Sequence, residues 1–163
     1  MYVSSDEYGG RAYRGSDKVS ALAALGTPFT AAPGVAFKNV GKAKRMTVDA
    51  SLPILTVAGQ GAVGAAAGDF TRNSYMFCGV DAEEAGRSDG DGVTPLSAAL
   101  DLEGAEQLVL DGLTTHAPEY PELIAPELAR SRREGVLWYG DEKRIRDWLP
   151  WLLRHADMSS PPA

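Results

Sequence analysis

Three short runs of apolar residues dominate the hydrophobic pattern of this chain, and each one is closed by glycine or by a turn. The first two are Val19 to Leu25 and Leu52 to Ala58, and the third is Leu108-Val109-Leu110, which lies between polar flanks in the predicted strand Ala105 to Leu113. Continuous apolar runs of this length are typical of strands buried on both faces of a parallel sheet, although the Ala- and Leu-rich first run also fits a helix. The third strand is expected to end near Asp111-Gly112.

Helical spacing is clearest at the C-terminus. There, Ile145, Trp148, Leu149, Leu152 and Leu153 repeat around Pro150 and predict a helix that is kinked or begins anew at the proline. Pro95 suits the first turn of a short helix over residues 97–100. Residues 69–89 have no clear period, and only Tyr75 to Val80 fits a short extended segment.

Strands that alternate with helical stretches indicate an α/β protein with about three parallel strands and flanking helices. Sites in such sheets lie beyond the carboxyl ends of the strands. The length of 163 residues suits one domain, which we expect over residues 1–155, with a disordered tail at 156–163. We expect the three strands in one sheet, with an unpaired edge where upstream strands would dock.

Composition narrows the class of partner. The net charge of −6, from 22 acidic and 16 basic residues, disfavours binding to nucleic acid. A single cysteine, Cys78, allows no internal disulfide, and with two histidines the chain offers no ligand spacing for a metal. We expect no cofactor. No apolar segment is long enough to span a membrane and no signal peptide is visible, so a soluble protein is expected.

Asp91 and His116 follow one another in the order of the acid and base of a hydrolytic triad. Asp91 alone would be an ordinary turn residue, because Asp-Gly is among the commonest turn dipeptides. His116, however, falls just past the third predicted strand, where a catalytic base would be needed. We therefore expect an Asp91 oxygen within about 3 Å of a His116 ring nitrogen. Asp89 is the alternative acid.

Two glycine motifs compete with this interpretation. Gly86 to Gly90 fits the Gly-x-Ser-x-Gly pattern around Ser88, but it lacks the strand before and the helix after that the pattern needs. Gly59, Gly61 and Gly64 fit a dinucleotide fingerprint after a strand. No apolar helical stripe follows them, so we expect a flexible loop there and keep a nucleotide-binding module as the weaker alternative.

Several blocks in order resemble a group of α/β-hydrolase superfamily proteins from plants, algae and cyanobacteria, related to lipases and to inositol-deacylase-like esterases. The blocks are Tyr8-Gly9-Gly10-Arg11-Ala12-Tyr13, Leu25-Gly26-Thr27-Pro28, Asp89 to Pro95, Gly104 to Gly112 and Trp138-Tyr139-Gly140. The resemblance covers residues 1 to 152 and implies the C-terminal half of an α/β-hydrolase fold. It also implies an intracellular protein of cytoplasm or plastid.

By this resemblance, Asp91 takes the acid position, with Pro95 four residues after it, and His116 takes the base position. In that family a Gly-x-Ser-x-Gly elbow precedes the block at Tyr8, so the nucleophile serine and the oxyanion hole are expected upstream of Met1. The chain is then the C-terminal part of an enzyme that hydrolyses carboxylic esters or lipid acyl groups, and it is inactive alone. A non-catalytic remnant or an interaction protein is the alternative.

Overall fold

Four parallel strands form one sheet in a computed structural model that describes residues 19–34, 37–42, 44 and 52–157. The strands lie side by side in chain order: β1 is Leu22–Leu25, β2 is Ile54–Gln60, β3 is Glu106–Thr115 and β4 is Leu137–Trp138. Helices flank the sheet, so the α/β class is confirmed. The sheet has four strands rather than the three predicted, because β4 is only two residues long and has no sequence signal of its own.

The three predicted strands share one sheet, as expected. Leu22 pairs with Ile54 and Leu55 pairs with Glu106, both in parallel register. Every residue of β2 except Gln60 is buried, which is why this strand has a continuous apolar pattern. Within the described residues β1 pairs only with β2, so its outer edge has no strand partner there.

An irregularity in β3 carries the strand past its predicted end at Asp111-Gly112. Ala58 pairs with Val109, but Gln60 pairs with Leu113, so β3 holds two extra residues at this point. Gly112 has a φ of 71°, a conformation that L side chains rarely adopt. The strand then resumes and ends at Thr115, which places His116 directly at its carboxyl end.

Arg144 holds the irregular part of β3 in place. Its side chain is buried, and its Nη2 donates a hydrogen bond of 2.6 Å to the carbonyl of Asp111. The carbonyls of Gly112 and Leu113 lie 3.4 Å from the same nitrogen. All three carbonyls lie at the register shift of β3, so the guanidinium contributes donors where the regular strand ladder is interrupted.

Five helices are fully bounded in the described residues: α1 is Gly68–Phe77, α2 is Ala82–Arg87, α3 is Leu96–Ala99, α4 is Pro126–Arg133 and α5 is Glu142–Asp157. Residues 37–42 are helical as well. The extended segment predicted at Tyr75 to Val80 is wrong, because Tyr75 lies in α1. The buried residues of that helix are Thr71 and Tyr75, so its inner face carries hydroxyl groups and shows no apolar stripe.

The C-terminal helix is confirmed, and it continues through Pro150 as a single helix to Asp157. It covers the sheet with Trp151, which packs in one cluster with Leu55, Val57, Leu110 and Tyr139. This cluster joins β2, β3 and the C-terminal helix in one core. No helix in the described part of the chain is long and apolar enough to cross a membrane.

Two predictions fall on residues outside those described. The block Tyr8 to Tyr13 lies there, as do residues 158–163 of the predicted tail. The other two residues assigned to the tail, 156 and 157, belong to α5.

Candidate active site

The chain leaves β2, forms α1 and α2, and then returns to the end of the same strand. On the return, the amide of Ala62 donates to the carbonyl of Gly90, and the amide of Gly64 donates to that of Ser88, both at 3.0 Å. These bonds bring Asp91 to the carboxyl end of β2, although Asp91 lies 30 positions along the chain after Gly61, the first residue beyond that strand. A distant residue is thus fixed beside the sheet by backbone hydrogen bonds.

The carboxylate of Asp91 is completely buried and fully occupied by donors. Its Oδ1 accepts hydrogen bonds from the amides of Val93 at 2.9 Å and Thr94 at 2.7 Å. Its Oδ2 lies 2.9 Å from Nδ1 of His116. A buried carboxylate needs such partners to offset the loss of water, and here they also fix its orientation. The predicted distance between Asp91 and His116 is confirmed.

His116 lies at the end of β3 with its ring between the buried acid and solvent. Its backbone amide donates to the carbonyl of Asp91 at 2.9 Å, and its side chain is 34% exposed. Because the carboxylate oxygen is an acceptor, Nδ1 carries the proton in the neutral ring and Nε2 carries the lone pair. Among the described residues nothing forms a hydrogen bond with Nε2. Within this part of the chain the basic nitrogen therefore has no partner, as a general base requires before it meets a nucleophile.

Tyr139 is a third member of the site, supplied by the turn after β4. Its hydroxyl donates to Oδ2 of Asp91 at 2.9 Å and accepts from the amide of Gly59 at 2.6 Å. Its ring is 3% exposed and packs edge-on against His116, with 6.3 Å between ring centroids. No sequence pattern assigns Tyr139 a role. The block Trp138-Tyr139-Gly140 is the only signal that could have pointed to it.

Gly26, the residue after β1, packs directly against the bond between Asp91 and His116. It has a φ of 55°, and a Cβ atom placed there would lie 2.5 Å from Oδ2 of Asp91 and 2.9 Å from Nδ1 of His116. Both distances are too short for any side chain. Glycine therefore allows the backbone of β1 to cover the bond between acid and base.

The environment shifts the pKa values of the groups around this bond. Burial lowers the pKa of His116, but the hydrogen bond and the charge of Asp91 outweigh burial and raise it above its usual value. Burial and the charge of Asp91 raise the pKa of Tyr139 far above its ordinary range, so its hydroxyl stays neutral and can donate. Burial also raises the pKa of Tyr120, to about 12.

Asp89, the alternative acid, is used elsewhere. Its Oδ1 accepts hydrogen bonds from the amides of Gly61 at 2.6 Å and Gly90 at 2.7 Å. It thus stabilises the turn that leads into Asp91. The structure brings Asp91 to His116 and leaves Asp89 beside them as a support.

The Gly-x-Ser-x-Gly pattern does not form an elbow. Ser88 directly follows α2, and its hydroxyl donates to the carbonyl of Glu84 at 3.0 Å, as a helix C-terminal residue does. Asp91 follows three residues later instead of the helix that a nucleophile elbow requires. Ser88 is a loop serine, as its sequence context predicted.

The amides of Gly59, Gly61 and Gly64 are already used within the protein. The three N–H groups donate within the protein, to Tyr139, Asp89 and Ser88. A helix does follow the fingerprint, contrary to prediction, but it begins only at Gly68. Pyrophosphate recognition uses free amides at a helix N-terminus that begins within the fingerprint, so this loop is a poor cradle for a nucleotide.

Metal and thiol chemistry find little support in the described residues. Within them, no three His, Cys, Asp or Glu side chains come together as ligands for a metal ion. Cys78 is buried, and burial followed by the charge of Asp91 raises its pKa to about 11. Its thiol remains protonated at neutral pH and is a weak nucleophile.

Comparison with protein-family models, curated proteins and solved structures gives no match to this chain. The resemblance of its sequence blocks to α/β-hydrolases therefore stays a prediction. The described residues define the site by its geometry: a buried carboxylate, a partly exposed histidine bonded to it through Nδ1, and a tyrosine hydroxyl bonded to the same carboxylate.

Proposed function

We propose that this chain supplies the acid, Asp91, and the base, His116, of a serine hydrolase that cleaves carboxylic esters or lipid acyl groups. The hydrogen bond between the buried carboxylate and Nδ1 of the half-exposed imidazole carries the proposal. It joins the carboxyl ends of two adjacent parallel strands, which is where sites of α/β sheets lie. Within the described residues Nε2 has no hydrogen-bond partner, which suits a general base that must meet a nucleophile.

In the proposed reaction, Nε2 of His116 accepts the proton of a serine hydroxyl as that hydroxyl attacks the ester carbonyl. The same proton then passes to the leaving alcohol. Water completes a second, equivalent cycle that releases the acid. Asp91 holds the ring in the required tautomer and stabilises the imidazolium. The raised pKa of His116 supports this assignment, because the hydrogen bond and charge of Asp91 outweigh burial and stabilise the protonated ring.

The described residues provide acid and base without a nucleophile. Within them no hydroxyl or thiol forms a hydrogen bond with Nε2 of His116, and the buried Cys78 thiol points to the carbonyl of Val93. We infer that the serine and the oxyanion hole come from a segment other than those described. One oxyanion-hole donor alone lowers the activation barrier by about 3 to 4 kcal/mol. The acid and base by themselves therefore give no serine-hydrolase turnover.

The test compares the 163-residue chain with a version extended by the coding sequence directly upstream of Met1. The extension is expected to encode a strand followed by Gly-x-Ser-x-Gly. A fluorophosphonate probe should label that serine and leave the shorter chain unlabelled. In the extended protein, hydrolysis of a p-nitrophenyl ester should fall by about 10⁴-fold in Asp91→Asn, the loss seen when a triad acid is replaced.

His155→Ala is the matched control, since His155 is the other histidine of the chain and forms a hydrogen bond with the carbonyl of Trp151 in the last helix. It should retain full activity while His116→Ala loses it. Labelling of one specific serine in the 163-residue chain would contradict the division of the triad. An upstream sequence without the elbow would favour the non-catalytic interaction protein.

A further inference from the structure

We propose that Tyr139 is a positioning residue that fixes Asp91 and limits the basicity of His116 by sharing the same carboxylate oxygen. The inference rests on the proposed function of the acid and base. It concerns how strongly Asp91 holds the ring, a property that can be measured without any ester substrate.

The geometry places two donors on one oxygen. Oδ2 of Asp91 lies 2.9 Å from the Tyr139 hydroxyl and 2.9 Å from Nδ1 of His116. Oδ1 is already taken by the amides of Val93 and Thr94. Every hydrogen bond to the carboxylate withdraws part of its charge, so the Tyr139 bond reduces what is left to stabilise the imidazolium.

The hydroxyl of Tyr139 is itself held in one orientation. The amide of Gly59 donates to it at 2.6 Å, so its own proton must point to Oδ2. Gly59 belongs to β2, while Tyr139 follows β4. The tyrosine thus links the Asp91 carboxylate to β2 through Gly59 and to β4 through its own backbone. These links restrict rotation of the carboxylate.

In the described part of the chain, few other titratable groups face this bond, and none of those replaces Tyr139. The Tyr120 hydroxyl accepts from the amide of Ala117, next to His116. Arg132 donates to the carbonyl of Pro118 in the same loop. Behind Asp91, the Tyr75 hydroxyl accepts from Gly92, and Asp89 accepts from Gly61 and Gly90. Of the described residues, only Tyr139 and His116 donate from a side chain to the Asp91 carboxylate.

The experiment is a titration of His116 by NMR in the 163-residue chain and its variants. Tyr139→Phe should raise the His116 pKa further, by about one unit, because a hydrogen bond to a charged group is lost from the carboxylate. Tyr120→Phe is the matched control, since it removes a hydroxyl beside His116 that makes no bond to Asp91. It should leave the His116 pKa close to that of the unmodified protein.

A second variant keeps the test valid if Tyr139→Phe fails to fold. Tyr139→3-fluorotyrosine retains the hydroxyl and makes it a stronger donor, so the His116 pKa should fall below that of the unmodified protein. Combining Tyr139→Phe with Asp91→Asn should abolish the effect of the first substitution, because Tyr139 acts only through the carboxylate.

The two proposals fail separately. If Asp91→Asn leaves the His116 pKa unchanged, the acid–base pair itself is wrong. If Asp91→Asn lowers that pKa but neither change at Tyr139 moves it, Tyr139 is only a packing residue and the positioning role is overturned.

Discussion

Replacing Gly26 with alanine tests whether the end of β1 holds the acid and base together. The glycine has a φ of 55°, in the left-handed region, and a Cβ atom would lie 2.5 Å from Oδ2 of Asp91. The same atom would lie 2.9 Å from Nδ1 of His116 and from Cε2 of Tyr139. Gly26→Ala therefore forces one methyl group into the space directly beside the bond.

Two costs add up at this position. A left-handed conformation costs a residue with a Cβ atom about 1 to 2 kcal/mol. Overpacking of a tightly filled site costs about 1 to 3 kcal/mol. Together they predict a loss of about 2 to 5 kcal/mol in the free energy of unfolding. For a chain of this size that corresponds to a fall in Tm of about 6 to 15 °C.

Gly104→Ala separates the two costs. Gly104 has a φ of 77°, but a Cβ atom placed there meets nothing within 4 Å. This variant therefore carries the backbone cost alone, about 1 to 2 kcal/mol. Urea unfolding of both variants, beside the unmodified chain, gives the difference that belongs to crowding of the site.

The site itself gives the second readout. The added methyl group should push the Asp91 carboxylate and the His116 ring apart, so the His116 pKa should fall in Gly26→Ala and stay unchanged in Gly104→Ala. Equal stability losses in the two variants would refute the idea that β1 packs against the acid–base bond. An unchanged His116 pKa in Gly26→Ala would refute it as well.

Three further outcomes are expected. The folded state raises the His116 pKa, so the stabilisation that protonated His116 contributes is complete below about pH 6.5, the pKa in the unfolded chain, and is lost as the pH rises through the folded pKa. Urea unfolding across this pH range should show the decline in the free energy of unfolding. Asp91→Asn should make that free energy less dependent on pH. Asp89→Ala should lower the free energy of unfolding, measured in urea, by about 1 to 2 kcal/mol, because it leaves two amides without an acceptor. If it lowered the His116 pKa as much as Asp91→Asn does, our choice of acid would be wrong. Arg144→Lys should lower the free energy of unfolding by about 2 kcal/mol, because an ammonium cannot replace the guanidinium at the three carbonyls of the β3 register shift. An unchanged Tm would contradict this role of Arg144.

The sequence predicts the central strands and the last helix well, because their burial is simple. β2 is buried almost throughout, so its sequence is a mostly apolar run. α5 has one buried face and one exposed face, so its leucines and tryptophans recur at helical spacing. α1 escapes prediction because its buried residues, Thr71 and Tyr75, are polar. The hydroxyl of Tyr75 contacts the carbonyl of Ala62 and the amide of Gly92, in loops before and after the helix, and no apolar period encodes these contacts.

The candidate site divides in the same way. Asp91 and His116 can be predicted because their order and their places after strands follow from the chemistry. Tyr139 cannot, because its role depends on a hydrogen bond to Asp91 across 48 residues. The sequence leaves Asp89 as the alternative acid, and the fold decides between the two carboxylates, because Asp91 contacts His116 whereas Asp89 accepts from the amides of Gly61 and Gly90.

The amide of His116 gives the acid–base pair an internal reporter. It donates to the backbone carbonyl of Asp91 at 2.9 Å, beside the bond between the two side chains. The two residues are therefore joined twice, and exchange of this amide with deuterated water requires them to separate. Its protection factor measures the free energy of opening the pair in the resting protein. A single amide proton could thus follow the assembly of the site in real time, with no substrate present.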